Sequence, residues 1–277
     1  MRSIPTGEIR CPGCGLGSLT SSASEGIEVR CDSCSRSYPI DEGVVELLPE
    51  VSGERSPAQR LMESRAIIRI YESRLWRRSS YVALLLGVSF TREQHLIERA
   101  AELASAERVL DLACGPGIYT RYFARKVSGG SVVGLDLSLP MLRYASRSAH
   151  HEQVENVLWI HGTALDLPFG PEHFDVVNCC GALHLFPDVA RALGEVSRVL
   201  KPAGRFTVAT FRRGEGRAAA IRAAARRRLS GLDAFSTSDL ESRLHAAGLQ
   251  DVQIHHARRA WLIASARKTG EEAKVGA

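Results

Sequence analysis

The sequence predicts an α/β protein: an open sheet with crossover helices, preceded by a helical cap and a small N-terminal metal-binding unit. Three observations predict it. From Arg108 onward, apolar strand-like runs alternate with helical patterns. Two of those runs, Val109-Leu110-Asp111-Leu112 and Ser131-Val132-Val133-Gly134-Leu135-Asp136, carry a carboxylate near their carboxyl ends, with a glycine loop between them. Four of the seven cysteines fall in the first 34 residues, in two CxxC pairs. At 277 residues the chain has room for one large domain and a small one.

Residues 1–50 read as the small unit. Cys11-Pro12-Gly13-Cys14 and Cys31-Asp32-Ser33-Cys34 are separated by sixteen residues, and two such knuckles supply four thiolates tetrahedrally to a structural zinc. Ile27-Glu28-Val29-Arg30 fits a short hairpin and Tyr38-Pro39-Ile40 a strand. So few apolar residues build no core alone, and the metal supplies the missing folding free energy of this zinc ribbon. With four sulfurs present, a hydrolytic metal with an open position is disfavoured.

Residues 51–104 read as a linker and helical cap. Val51 to Pro57 is the linker. Ile67, Ile68, Tyr71 and Leu75, then Val82, Leu85 and Leu86, recur at helical intervals, and Glu93 to Leu103 continues with Leu96, Ile97 and Ala100 on one face. Tyr71, Trp76 and Tyr119 are aromatic candidates for shaping a cleft.

The main domain spans 105–267. Strands are expected at 108–112, 131–136, 156–161, 173–179, 204–211, 250–256 and 260–266, with helices at 117–127, 139–149, 187–200 and 236–247. The last two strands are joined by so few residues that they form an antiparallel hairpin. Residues 212–235 form an insertion on the carboxyl edge of the sheet, beside the ligand crevice. Arg212, Arg213, Arg217, Arg222, Arg226, Arg227 and Arg228 concentrate there. They read as a solvated face, or as a surface for an anionic acceptor or RNA. Residues 268–277 are expected to be a disordered tail.

Gly115 and Gly117 allow close backbone approach to a ligand, and a helix opening at Gly117 offers N–H groups. Neither phosphate-loop nor dinucleotide patterns fit: no Lys-Ser/Thr follows, and Thr120 stands where GxGxxG needs its third glycine. Asp136 is placed to bind both hydroxyls of a ribose.

The stretch 108–211 resembles the class I S-adenosylmethionine-dependent methyltransferases of the type 11 group. The residues that carry the resemblance are Leu110 to Gly117, Gly134-Leu135-Asp136-Leu137-Ser138, Leu167-Pro168-Phe169, Phe174-Asp175-Val176-Val177, Ala182-Leu183-His184 and Arg198 to Gly204. The resemblance implies a Rossmann-like seven-stranded methyltransferase sheet whose last strand is antiparallel. It places Asp111, Ala113, Gly115 and Gly117 at the methionine part of the cofactor, Asp136 at the ribose, and Leu137, Thr163, Ala164 and Leu165 around the adenine. Cys180 and its neighbours would approach the sulfonium. Two positions depart from the family pattern. Ala113 replaces a glycine, which is tolerable if its backbone stays in an ordinary region. Thr163 replaces the usual acid that meets the adenine amino group, and Asp166 is offset from it.

His184, past the fourth strand of the main domain, is the candidate general base; Cys114, Cys179 and Cys180 read as small core residues. The ribbon is similar to that of bacterial ribosomal RNA guanine-N1 methyltransferases. Unassigned plastid methyltransferases share the ribbon, the Tyr71-Glu72 and Trp76-Arg77 stretch and Ala182-Leu183-His184-Leu185-Phe186-Pro187. Acidic Glu25, Glu28 and Asp32 in the ribbon argue against tight phosphate contact, and Asn178-Cys179-Cys180-Gly181 is not the tetrad of exocyclic amine methylation. The expected function is therefore methylation of a small molecule at oxygen or carbon, aromatic or quinone-like. The alternatives are an rRNA or tRNA base methyltransferase and a non-catalytic cofactor-binding partner protein. No apolar signal core opens the sequence, so the expected compartment is the cytoplasm; no run approaches a membrane span.

Overall fold

In the computed structural model the described residues are 8–21, 28–48, 79–219, 221–222, 225 and 233–270. The expected first helices of the cap, the boundary at residue 50, Tyr71, Trp76, Arg226 to Arg228 and most of the tail lie outside them. Among the described residues no helix is long and apolar enough to cross a membrane.

Four short strands come first: β1 (Leu19–Ser21), β2 (Glu28–Cys31), β3 (Ser37–Asp41) and β4 (Val44–Glu46). Among the described residues two helices follow, α1 (Ser80–Leu86) and α2 (Phe90–Ala101), with Ser79 and Ser89 as their N-caps. Strands and helices then alternate as β5 (Arg108–Leu112), α3 (Ile118–Lys126), β6 (Ser131–Asp136), α4 (Leu139–His151), β7 (Val157–His161) and β8 (Phe174–Cys180). A 3-10 turn (Leu183–Leu185) leads into α5 (Val189–Val199), β9 (Leu200–Phe211), α6 (Thr237–Ala246), β10 (Leu249–Arg258) and β11 (Trp261–Lys268). The caps are chemical: Asp188 accepts from the Arg191 N–H, and Ser236 from that of Asp239.

The seven expected strands are present in the order β7–β6–β5–β8–β9–β11–β10, and β11 runs antiparallel to both neighbours. β9 starts at Leu200, ahead of the expected 204, because Ala203 takes a positive φ (59°) and the pairing with β8 shifts register between Phe174 and Val176. This irregularity lets the strand begin directly at the helix end.

The sheet does not stop at seven strands. β4 pairs in parallel with β7, and β3, β2 and β1 continue the order outward to give eleven strands. Val44, Val45 and Glu46 sit opposite Trp159, Ile160 and His161. The ribbon is also tied at its other end: Arg10 N–H donates to Pro168 O (2.9 Å), and Ile9 bridges Phe169. Ile9, Cys11, Leu19, Val29 and Cys31 belong to the same buried cluster as Leu110, Ile160 and Phe169. Ion pairs from Arg143 on α4 to Asp41 (2.5 Å) and Glu46 (3.2 Å), and from Arg147 to Glu42, close the seam.

Candidate cofactor cleft and metal centre

The acidic strand end and the glycine loop are joined by hydrogen bonds. Asp136 Oδ2 accepts from the Gly115 N–H, and Oδ1 from the Ser138 N–H, both at 2.7 Å. One carboxylate thus fixes the 113–117 loop against the β6–α4 turn. Gly115 and Gly117 have φ values of 53° and 76°, the left-handed region where glycine is unstrained. A side chain at Gly117 is also blocked by Trp159, whose ring lies 2.6 Å from the position a Cβ would take.

Ala113 shares that conformation, with φ at 54°. Its backbone is therefore not in the ordinary region on which the tolerance of alanine was conditional. The methyl group is held in a strained position, at roughly 1–2 kcal/mol. Cys114 N–H donates to Leu135 O (3.1 Å), linking the loop back to β6.

Beneath the loop lies a polar ladder that crosses three strands. Asp111 is 2% exposed; Oδ2 accepts from Thr120 Oγ1 (2.5 Å) and Oδ1 from Asn178 Nδ2 (2.7 Å). Asn178 Oδ1 accepts from Thr207 Oγ1 (2.9 Å). Asp111, Asn178 and Thr207 are directly registered neighbours on β5, β8 and β9. Burial raises the Asp111 carboxyl to about 6, against the pull of the Thr120 and Asn178 donors and with help from the charge of Asp136. Burial likewise pushes the Cys114 and Cys179 thiols well up, so neither is a ready nucleophile.

The residues expected around an adenine gather at the ends of β6 and β7. Leu137 is 44% exposed, an apolar side chain open at the carboxyl edge. Thr163 Oγ1 accepts from the Leu165 N–H (3.2 Å), and Thr163 bridges Asp166, which is exposed. Ala164 packs against the core. Cys180, the last residue of β8, donates from Sγ to Glu93 Oε1 (3.3 Å).

His184 is 4% exposed, on the 3-10 turn after β8. Its Nδ1 lies 3.2 Å from Thr210 Oγ1, and its ring packs on Phe211 with centroids 4.3 Å apart. Burial lowers it to about 4, so the ring is neutral near pH 7. Of the basic insertion, Arg213 faces Asp239 at 3.7 Å, while Arg217 and Arg222 are exposed.

Thr120, Asn178, Thr207 and Glu93 escaped the sequence reading. Asn178 and Thr207 interrupt apolar strands, a visible signal, but their partnership needs the register. Glu93 sits at an apolar-stripe position of α2 together with Phe90, Ile97 and Ala101.

At the ribbon, the four Sγ atoms of Cys11, Cys14, Cys31 and Cys34 lie within 4.8 Å of one another. Cys11–Cys34 and Cys14–Cys31 are each 3.7 Å apart. That is the edge of a tetrahedron of thiolates about 2.3 Å from a central zinc. Tyr38 hydroxyl contacts Cys11 Sγ at 3.2 Å and accepts the Gly13 N–H at 3.0 Å, an outer-shell brace for one ligand. Burial opposes it, yet Tyr38 and the backbone N–H groups around Cys14 and Gly13 bring the Cys11 thiol down to about 6.

Residues 109–204 match the family model described as a methyltransferase domain. They form a methyltransferase domain. A demethylmenaquinone methyltransferase of Lactiplantibacillus plantarum is 44% identical over 105 residues, 37% of this chain and 44% of its own length. A 2-phytyl-1,4-naphtoquinone methyltransferase of Thermosynechococcus vestitus is 40% identical over 112 residues, 40% of this chain and 48% of its own. An uncharacterised chloroplastic methyltransferase of Arabidopsis thaliana is 30% identical over 203 residues, 70% of this chain and 56% of its own. The chain thus spans about half the length of the curated relatives it matches. The methyltransferase fold is shared with the YcgJ protein of Bacillus subtilis, with a TM-score of 0.58 at 24% identity over 65% of this chain and 99% of that one. It is shared also with phosphoethanolamine N-methyltransferase 2 of Haemonchus contortus in complex with S-adenosyl-L-methionine. There the TM-score is 0.64 at 17% identity, over 80% of this chain and 61% of the other.

Proposed function

We propose that the chain transfers a methyl group from S-adenosylmethionine to a small-molecule acceptor at oxygen or carbon, on an aromatic or quinone-like ring. The observation that carries the cofactor assignment is Asp136, whose two oxygens hold the Gly115 and Ser138 N–H groups at the carboxyl end of β6, where a carboxylate would meet the ribose. The quinone-like acceptor is supported by the names of the Lactiplantibacillus and Thermosynechococcus relatives. Leu137 offers its exposed side chain to the adenine, with Thr163, Ala164 and Leu165 across from it. Thr163 has its hydroxyl engaged by Leu165, so it brings less to the adenine amino group than a carboxylate would.

When bound, S-adenosylmethionine supplies an already activated methyl on a sulfonium, and the protein's part is to align the acceptor and exclude water. Asp111 would give negative charge beneath the loop, where it would meet the donor's ammonium group. His184 we assign to the acceptor side as a neutral ring fixed by Thr210 and Phe211; as a base it is already unprotonated throughout the neutral range. Cys11, Cys14, Cys31 and Cys34 hold one structural zinc in this reading, and the ribbon braces the sheet edge rather than an RNA. Its acidic residues Asp41, Glu42 and Glu46 are taken up by α4, which supports that role over nucleic-acid contact.

The test offers methyl-labelled S-adenosylmethionine together with a reduced naphthoquinone, and in parallel with structured RNA. Label is expected in the quinol; label in RNA alone would transfer the assignment to the base-methyltransferase reading. Absence of donor binding would leave a non-catalytic partner.

The buried carboxylate also sets a pH dependence. With Asp111 raised to about 6, lowering the pH through that value protonates it and removes the charge that would meet the ammonium. Donor affinity, by calorimetry, is expected to fall as the pH drops from about 7.5 to about 5. Constant affinity across that window would exclude Asp111 from donor recognition.

A further inference from the structure

Helix α2 runs antiparallel to the parallel strands. Its last turn is held at their amino ends, where Arg205 donates to Ala101 O (2.8 Å) and Arg267 pairs with Glu102 (2.6 Å). Its first turn, with Glu93, therefore lies at the carboxyl edge beside the cleft. The buried stripe of this helix is Phe90, Glu93, Ile97, Ala100 and Ala101, a spacing that asks for an apolar residue at 93. A carboxylate stands there instead, with 0% exposure. Burying it is costly unless donors meet it, and packing alone would be served better by a hydrocarbon.

Two of the groups that meet it come from the cleft. Tyr119, two residues beyond Gly117, donates from its hydroxyl to Glu93 Oε1 at 2.6 Å. Cys180, at the tip of β8, donates to the same oxygen at 3.3 Å. The first turn of α2 adds its own favourable dipole. Glu93 thereby joins three elements, α2, α3 and β8, around the wall of the cleft nearest the end of β8.

We propose that Glu93 is a positioning residue that makes the site prefer the cationic methyl donor to its neutral product. The inference rests on the cofactor reading above. In the reaction the sulfur–methyl bond breaks with its electron pair remaining on sulfur, and the methyl–acceptor bond forms. The ligand's sulfur loses its positive charge while its ammonium, carboxylate and ribose stay the same. A fixed negative charge in a water-poor wall attracts the first form and not the second. Product release is thereby favoured once transfer has occurred.

The experiment measures, by calorimetry on the full chain, the affinities of S-adenosylmethionine and S-adenosylhomocysteine for the native protein and for Glu93→Gln. The amide is expected to weaken donor binding about tenfold and to change product binding less than about twofold, the scale of one partly screened charge contact. Equal weakening of both ligands would mark Glu93 as structural support only and overturn the proposal, as would no change in either. Should Glu93→Gln fail to fold, Glu93→Met decides, since it removes the charge and keeps the length of the stem. A lowered donor-to-product ratio supports the proposal, and an unaltered ratio overturns it. Failure of the native protein to bind either ligand would instead remove the cofactor reading itself.

Discussion

Exchanging Asp136 for alanine is expected to abolish measurable cofactor binding while leaving the sheet folded. Two effects add. The ribose loses an acceptor pair, and hydrogen bonds to a charged group contribute about 1.5–3 kcal/mol each. The loop loses the carboxylate that holds Gly115 N–H and Ser138 N–H at 2.7 Å, so the backbone that should approach the donor is no longer fixed. Together this is a loss on the order of a thousandfold or more in affinity. Asp136→Asn separates the contributions. Its one oxygen can still accept from a single N–H, while the new amide donor faces an N–H at the other, so an intermediate affinity is expected. Calorimetric titration of both variants with S-adenosylmethionine checks this, and affinity near the native value in Asp136→Ala would sink the ribose assignment.

The alternation of apolar runs after Arg108 was enough to locate the seven strands of the main domain, because each strand is bounded by glycine, proline or a polar cap. The acidic strand ends and the glycine loop were legible for the same reason: they are contiguous in sequence. What the sequence could not reveal is anything that depends on register or on long-range approach. Val44-Val45-Glu46 is three residues long, and nothing in it announces a parallel partner more than a hundred residues away at Trp159 to His161. Asn178 and Thr207 are polar residues in apolar strands; only the registration of Asn178 with Asp111, and of Thr207 with Asn178, turns them into a ladder that braces the acid. Ala113 could be marked in the sequence as standing where a glycine is usual, but whether it is strained depends on a backbone angle set by the loop that Asp136 anchors. Glu93 was hidden by its own type, because a glutamate in a helix reads as solvent-facing until the packing is known.

Removing the zinc proposed for the ribbon is expected to destabilise the chain and, less obviously, to weaken cofactor binding. Structural zinc sites contribute roughly 10–16 kcal/mol of apparent binding free energy at neutral pH, comparable to or above the net stability of a whole domain. Without it, four thiols around Cys11 and Cys34 have little to hold them, and the strands β1 to β3 have few apolar residues of their own. The damage should not remain local. β4 is the partner of β7, Leu47 N–H donates to His161 O (3.1 Å), and Arg10 N–H donates to Pro168 O (2.9 Å). Those contacts bracket residues 162–167, which include Thr163 to Leu165, expected around the adenine. Loss of the ribbon therefore exposes an edge strand and frees that segment at both ends. A metal-chelated sample, or Cys11→Ser, should melt at least about 10 °C lower and bind S-adenosylmethionine several-fold more weakly, with both properties restored when zinc is returned to the chelated protein. A chelated protein that lost ribbon structure but kept native cofactor affinity would show that the ribbon and the cleft are energetically separate, in spite of the shared sheet.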